Sequence, residues 1–160
     1  MTNKEIERKW LVNPTEELIN YLLKTPSVEI KDYYFNDFCR LRNMQGKWYI
    51  TIKGEGTLVR DEFEFMIERS SLNFLPTPTL TKKRCPYHYK GHTFELNIFK
   101  DIPMKQKYTG EISNLITAEL ELNNSEEVVE IPDFFSSEIT EIKDFYGYNL
   151  FKVLLEQRKI

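Results

Sequence analysis

Charged and apolar side chains alternate with a period of two through most of this 160-residue chain. Near the N-terminus, Glu5, Glu7 and Lys9 alternate with Ile6 and Trp10. Successive side chains of a β-strand point to opposite faces, so a strand with this pattern has one ionic face and one apolar face. The pattern predicts eight strands, at residues 4–12, 28–35, 38–44, 48–53, 60–68, 77–87, 92–99 and 116–122.

Short turn sequences separate several of these segments: Asn36-Asp37, Gln45-Gly46, Gly54 to Gly56 and Lys90-Gly91. Turns of this length join antiparallel neighbours. Eight antiparallel strands suffice to close a barrel. We therefore expect a mainly β (α+β) fold in a single domain over residues 1–160. Its core is a closed eight-stranded antiparallel β-barrel, or tunnel, with helices packed outside it and a C-terminal helix.

Three segments have helical patterning. Thr15 or Asn13 can cap a helix whose apolar residues lie between 18 and 23, and residues 72–75 allow one short turn. The tail at 149–158 has an apolar stripe with charges opposite it. We expect this last helix to pack on the sheet or to lie across one mouth of the barrel.

Composition excludes several classes of protein. The 41% hydrophobic content excludes disorder, and the mean hydropathy of −0.50, without a long uncharged apolar run, excludes a membrane span. A balance of 22 Lys+Arg against 25 Asp+Glu argues against a broad nucleic-acid footprint. The charged N-terminus is unlike a signal peptide. We therefore expect a cytoplasmic protein in which Cys39 and Cys85 are reduced structural thiols.

Almost every predicted strand has an ionic face. One such face is ordinarily solvated, as in any half-buried sheet. If helices cover the apolar faces of a closed barrel, however, the ionic faces line its interior. Charges in such a place are costly unless they are paired or bound to ions and ligand. The pattern therefore indicates an interior that holds water, metal and a highly charged ligand.

The residue types on these faces indicate the chemical class of this ligand. Glu5 with Glu7, and Glu119 with Glu121, offer the hard oxygen ligands that Mg²⁺ or Mn²⁺ takes alongside substrate phosphates. Six cations on the predicted strands suit a chain of phosphates: Lys9, Arg40, Arg42, Lys53, Lys82 and Arg84. Together the two sets predict a metal and polyphosphate site.

These motifs also occur in a recognisable order. They are Glu5-Ile-Glu7-Arg-Lys9, Arg40-Leu-Arg42, Thr51-Ile-Lys53, Glu62-Phe-Glu64, Lys82-Lys-Arg84 and Glu119-Leu-Glu121. In that order they resemble the ExExK, RxR, TxK, ExE, KxR and closing ExE motifs of the CYTH superfamily, also called triphosphate tunnel metalloenzymes. The segment at 137–140 also resembles the family's segment after the last barrel strand.

The resemblance implies a tunnel that binds a triphosphate and divalent cations and usually hydrolyses the triphosphate. It implies phosphate ligands at Lys9, Arg40, Arg42, Lys53, Lys82 and Arg84. It implies Mg²⁺ or Mn²⁺ ligands at Glu5, Glu7, Glu62, Glu64, Glu119 and Glu121, with Glu5, Glu7 and Lys9 as the catalytic residues. Relatives often have aspartate where this chain has Asn97, a difference that removes one negative charge and can weaken a second metal site.

The leading hypothesis is a metal-dependent triphosphatase acting on inorganic triphosphate or a small organic triphosphate, with neither nucleic acid nor membrane as a partner. One alternative is an adenylyl cyclase of the same superfamily, although such enzymes carry a His-Phe pair before ExExK and this chain does not. Another is a binding module without turnover. Cys85, His88 and His92 have a zinc-like spacing, but we expect the two histidines to be exposed on a hairpin.

Overall fold

Antiparallel strands make up most of the fold. The computed structural model describes residues 3–69, 75, 78–105 and 112–158, and these contain nine strands and two α-helices. The helices are α1 (Glu16–Lys24) and α2 (Gly147–Gln157), and a 3₁₀ turn (Lys143–Phe145) precedes α2. The strands are β1 (Asn3–Val12), β2 (Val28–Tyr34), β3 (Cys39–Met44), β4 (Lys47–Lys53), β5 (Val59–Ile67), β6 (Leu80–Tyr89), β7 (His92–Lys105), β8 (Ile112–Glu121) and β9 (Phe135–Glu138).

Eight of the strands close into a barrel, as the sequence predicts. Their order is β5-β4-β3-β2-β6-β7-β8-β1, and β1 pairs back onto β5. The closure joins Glu5 to Arg60 and Ile6 to Val59. The sequence analysis missed β9, which pairs outside the eight with the C-terminal end of β1. It has four residues and no alternation that would reveal it.

Two hairpin turns are confirmed in detail. Both central residues of each turn have positive φ, at 52° and 77° for Gln45 and Gly46 and at 43° and 82° for Lys90 and Gly91. Such two-residue turns match the twist of antiparallel strands. The predicted strands at 92–99 and 116–122 belong to longer elements, and the turn at 72–75 lies, apart from residue 75, outside the described residues.

Helix α1 packs on the outside of the barrel. Its N-cap is Thr15, whose Oγ1 accepts a hydrogen bond from the Leu18 amide at 3.3 Å. Leu18 is fully buried in a cluster that includes Trp10, Phe94 and Phe135. Trp10 and Phe94 alternate with the ionic positions of their strands, so the apolar faces point outward, as expected.

Helix α2 lies across one mouth of the barrel, which decides between the two predicted positions. Its buried residues pack with Leu80, Phe99 and Leu115. Leu80 lies on the same face of β6 as Lys82, and Leu115 lies on the same face of β8 as Glu119. The interior is therefore apolar at the end under α2 and ionic over the rest of its length.

A close approach at the start of α2 makes its seating testable. A Cβ atom at Gly147 would lie 1.8 Å from Tyr34 Oη and 2.8 Å from Tyr34 Cζ. We therefore expect Gly147→Ala to lower the free energy of unfolding by about 1–3 kcal/mol, through overpacking, in denaturant titrations. Tyr34→Phe in the same chain removes the nearest atom and should restore part of the loss. Equal stability of wild type and Gly147→Ala would contradict this seating.

Candidate active site

The barrel encloses a cavity of about 300 Å³, at the small end of the range for ligand pockets. Every residue that the sequence analysis assigned to the site lines this cavity. These are the cations Lys9, Arg40, Arg42, Lys53, Lys82 and Arg84 and the carboxylates Glu5, Glu7, Glu62, Glu64, Glu119 and Glu121. The alternation of side chains along each strand therefore identified the residues that line the cavity correctly, whereas the role of each residue stays a prediction.

Most of the carboxylates and most of the cations lie on different sides of the barrel. Strands β8, β1 and β5 are neighbours and carry the three glutamate pairs, and we call them the acidic arc. Strands β4, β3, β2 and β6 follow one another on the other side and carry Lys53, Arg40, Arg42, Lys82 and Arg84, and we call them the basic arc. A ligand in the cavity would therefore lie between a wall of mostly carboxylates and a wall of mostly cations.

Lys53 joins the two arcs. Its Nζ lies 3.2 Å from Glu5 Oε2 and 3.2 Å from Glu62 Oε2, and Arg60 Nε donates to Glu5 at 2.9 Å. Burial would raise the pKa of Glu5, but Lys53 and Arg60 outweigh it and hold that pKa at about 2. Glu5 is therefore ionised throughout the neutral range.

Glu119 makes a second set of ion pairs, one within the acidic arc and one to the basic arc. Lys9 Nζ lies 3.3 Å from its Oε1, and Arg84 Nη2 donates to its Oε2 at 3.3 Å. Burial opposes ionisation here too, yet the attraction of Lys9, Lys82 and Arg84 keeps the pKa of Glu119 well below its usual range. The negative charge of Glu119 is therefore permanent at neutral pH.

Glu7 is in a different electrostatic position. It lies between Glu5 and Lys9 on β1 and is paired in register with Glu121. Burial, and then repulsion from Glu119, raise the pKa of Glu7 to about 7. Its charge is therefore set by what else occupies the cavity, since a nearby cation would favour the ionised form.

The basic arc holds cations that are ready for an anion. The Nε atom of Arg40 is buried and has no hydrogen-bond partner in the described part of the chain. Lys82 is 5% exposed, and burial together with Arg84 and Arg42 lowers its pKa well below the usual value. An anion between these side chains would satisfy the free donor and favour the charged form of Lys82.

The structure also adds residues that the sequence analysis did not assign to the site. Asp32 on β2 is fully buried and accepts two hydrogen bonds from Arg42. Parity on β5 placed Arg60 on the ionic face, although no motif included it, and its guanidinium stacks on the Tyr146 ring at 5.7 Å. Tyr146 and Gly147 bring the start of α2 to the cavity, a contact between distant segments that no local pattern predicts.

Asn97 lies in the wall of the barrel. It is fully buried, and its Oδ1 accepts a hydrogen bond from Arg84 Nε at 2.9 Å. The amide therefore orients Arg84 without adding a charge, where relatives often have a carboxylate. The zinc-like spacing nearby forms no metal cluster among the described residues. His88 is exposed as predicted and contacts Thr93, whereas His92, predicted to be exposed, is half-buried and contacts Glu127.

The donor set fits a divalent cation that shares its coordination with substrate. No group of three or more His, Cys, Asp or Glu side chains converges as a ready-made metal cage within the described ranges. Mg²⁺ does not require one, because it is usually held by one or two carboxylates together with phosphate oxygens and water. The crowding that raises the pKa of Glu7 supports this fit, as does a buried Glu62 Oε2 without an aligned hydrogen bond, although Lys53 Nζ lies 3.2 Å away.

Comparison with known proteins agrees with this architecture. The family model of the CYTH domain matches residues 3–148, nearly the whole chain. The chain belongs to the CYTH domain family. The ionic interior described above is thus the interior of a CYTH barrel, and the motif order that resembled this family is confirmed as a sign of membership.

Individual relatives of this CYTH chain have related descriptions. A protein of Acetivibrio thermocellus named inorganic triphosphatase is 28% identical over 158 residues, covering 93% of this chain and 94% of the relative. The crystal structure of the inorganic triphosphatase NE1496 has a TM-score of 0.56 at 22% identity, over 92% of this chain and 93% of that one. A candidate adenylate cyclase from Bacillus halodurans has a TM-score of 0.54 at 18% identity, over 77% and 83%.

The two solved structures establish similarity of fold alone at these identities. In the described part of this CYTH chain, neither helix has the length and apolar character needed to span a membrane.

The raised pKa of Glu7 predicts a pH-dependent stability of the CYTH barrel. Between the ordinary carboxyl pKa of about 4.5 and the folded value of about 7, the folded state binds more protons than the unfolded state, so stability falls as pH rises. With EDTA present, the stability of Glu7→Gln relative to wild type should increase by about 2–3 kcal/mol between pH 5 and pH 8. Thermal or denaturant unfolding at both pH values measures the difference.

The matched control is Glu126→Gln, which makes the same substitution at an exposed loop position. It should change stability equally at pH 5 and pH 8. A stability difference between wild type and Glu7→Gln that does not change with pH would contradict the crowding of Glu7.

Proposed function

We propose that this CYTH protein hydrolyses a triphosphate with the help of Mg²⁺ or Mn²⁺. The observation that supports the proposal best is the division of one small cavity into a basic arc and an acidic arc. A triphosphate chain is short and highly charged, and it needs cations for its oxygens and a divalent ion to neutralise the rest. Both requirements are met by side chains that face each other.

Glu7 and Glu119 are the strongest candidates to hold the ion, with Glu5, Glu62, Glu64 and Glu121 around them. When bound, a divalent cation neutralises phosphate charge and lowers the pKa of coordinated water. Glu5 is engaged by Lys53 and Arg60, so its part includes keeping those cations in place. Glu64 and Glu121 are exposed, and they extend the acidic arc toward the mouth opposite α2.

The cations of the basic arc orient the substrate and stabilise charge during the reaction. As the bond to the leaving phosphate breaks, negative charge spreads over the surrounding oxygens. Fixed donors that are already aimed at those oxygens stabilise this charge without having to reorganise. Arg40, Arg42 and Lys82 occupy the wall of the basic arc, and Lys9 faces it from β1. These four residues carry the electrostatic part of the proposal.

Inorganic triphosphate is the substrate that we favour. The cavity of about 300 Å³ has mostly ionic walls, and its apolar end is filled by α2. A relative covering nearly the same length carries the name inorganic triphosphatase. A nucleotide would have to leave its base and sugar at the open mouth, so we expect it to be a poorer substrate.

A substrate panel tests the proposal. Purified protein is incubated with inorganic triphosphate, ATP, GTP or thiamine triphosphate, with Mg²⁺ or Mn²⁺, and the products are identified. We expect phosphate release that is fastest with inorganic triphosphate and is abolished by EDTA. Glu119→Gln and Arg40→Ala should each lower kcat/KM by roughly 100-fold or more, since each removes a preorganised charge.

Glu126→Gln is the matched control for Glu119→Gln and should retain full activity. Absence of phosphate release from every triphosphate with either metal would contradict hydrolysis and would leave the binding-module alternative. Formation of cyclic AMP and pyrophosphate from ATP would instead establish the cyclase alternative.

A further inference from the structure

We propose that Asp32 is a positioning residue that holds Arg42 in the orientation in which it meets a polyphosphate anion. Asp32 is 0% exposed and lies in the wall, whereas Arg42 lines the cavity. Oδ1 of Asp32 accepts from Arg42 Nε at 2.7 Å, and Oδ2 accepts from Arg42 Nη2 at 2.9 Å. The inference rests on the proposed function and identifies a residue that supports the same site.

The two hydrogen bonds fix the plane of the guanidinium. Arginine has five N–H donors in a rigid fork, and a bidentate carboxylate occupies one edge of it. A single bond would let the group pivot, but two parallel bonds do not. The N–H groups of Arg42 Nη1 take no part in the bidentate bond, and Arg42 lines the cavity. Because a donor is effective only when it is already aimed at its target, this orientation contributes to catalysis.

The location of Asp32 distinguishes it from the other carboxylates. It is the one inward-facing carboxylate that the described residues place on the basic arc. Its Oδ2 also lies 3.8 Å from Lys82 Nζ, so it balances two cations that would otherwise repel each other. A negative charge beside an anion site weakens the attraction for the anion. Removing the charge of Asp32 should therefore not weaken substrate binding. Turnover should fall, because Arg42 loses the bidentate bond that orients it.

A double-mutant cycle tests the inference with tripolyphosphate and Mg²⁺. Asp32→Asn should lower kcat by roughly tenfold, as supporting residues of a site typically do, and should not raise KM. Arg42→Lys keeps the charge but has no fork to be oriented. In the Arg42→Lys protein, Asp32→Asn should lower kcat by less than roughly twofold, because residues that act together are not additive.

Asp61→Asn is the matched control. Asp61 pairs with Lys4 on the outside of the barrel at 2.7 Å, so this substitution should leave kcat and KM unchanged. If Asp32→Asn does not fold, Asp32→Glu replaces it, because it keeps the charge while moving the carboxylate, and it should lower kcat less than tenfold with KM unchanged. Additive losses in the cycle, or a raised KM with unchanged kcat, would overturn the positioning role.

Titration calorimetry separates this inference from the proposed function. Tripolyphosphate is titrated into the four EDTA-treated proteins of the cycle. If the wild type binds it but does not hydrolyse it, the triphosphatase proposal fails alone. Binding of tripolyphosphate by Asp32→Asn that is as tight as binding by the wild type would then support the role of Asp32, and weaker binding would overturn it. Hydrolysis with an additive cycle overturns the inference alone, and a wild type that does not bind tripolyphosphate overturns both.

Discussion

Ionised side chains inside a closed barrel must be paired, and this requirement shapes the whole molecule. Removing one partner of a buried ion pair typically costs about 3–5 kcal/mol, because the remaining charge has no compensation. Here each cation that bridges the arcs contacts a carboxylate of the other arc, as Lys53 does with Glu5 and Arg84 does with Glu119. The free barrel is therefore held by the same charges that a metal and a triphosphate would bind.

The pairing also explains why binding and charge state are linked. Glu119 and Glu5 have cationic partners and are ionised, whereas Glu7 faces other carboxylates and has a pKa of about 7. On the opposite wall, burial and then the neighbouring Arg84 and Arg42 lower the pKa of Lys82 and so disfavour its charged form. Each wall thus has a residue whose charge is unfavourable alone and becomes favourable beside the matching part of the ligand. In the proposed function, metal and polyphosphate favour the charged forms of both residues together.

Much of the site could be predicted from the sequence, because the face on which a strand residue lies follows from the local alternation of side chains. Alternation in the first strand assigns Glu5, Glu7 and Lys9 to one face, and the same rule applied to the other strands gave all twelve predicted lining residues. Turn residues such as Lys90 and Gly91 further identified antiparallel neighbours. Eight antiparallel strands suffice to close a barrel, and the ionic faces line its interior if helices cover the apolar ones.

What the sequence did not give depends on register and on contacts between distant segments. Asp32 shares its face with apolar Ile30 and with Tyr34, so β2 lacks a clear ionic pattern, and only the pairing of Asp32 with Arg42 reveals its role. The seating of α2 depends on contacts between residues near 147 and residues near 34, and β9 is too short for a periodic signal. The sequence therefore predicted the residues that line the site better than the residues and elements that hold them in place.

The central claim is that the two arcs bind a polyphosphate and a divalent cation inside the barrel. A crystal structure of the protein grown with tripolyphosphate and Mg²⁺ tests it most directly. We predict a phosphate chain in contact with Arg40, Arg42 and Lys82, and a cation between the phosphates and the glutamates of the acidic arc. A phosphate chain bound outside the barrel, with the Lys53 to Glu5 and Lys9 to Glu119 pairs unchanged, would contradict the account.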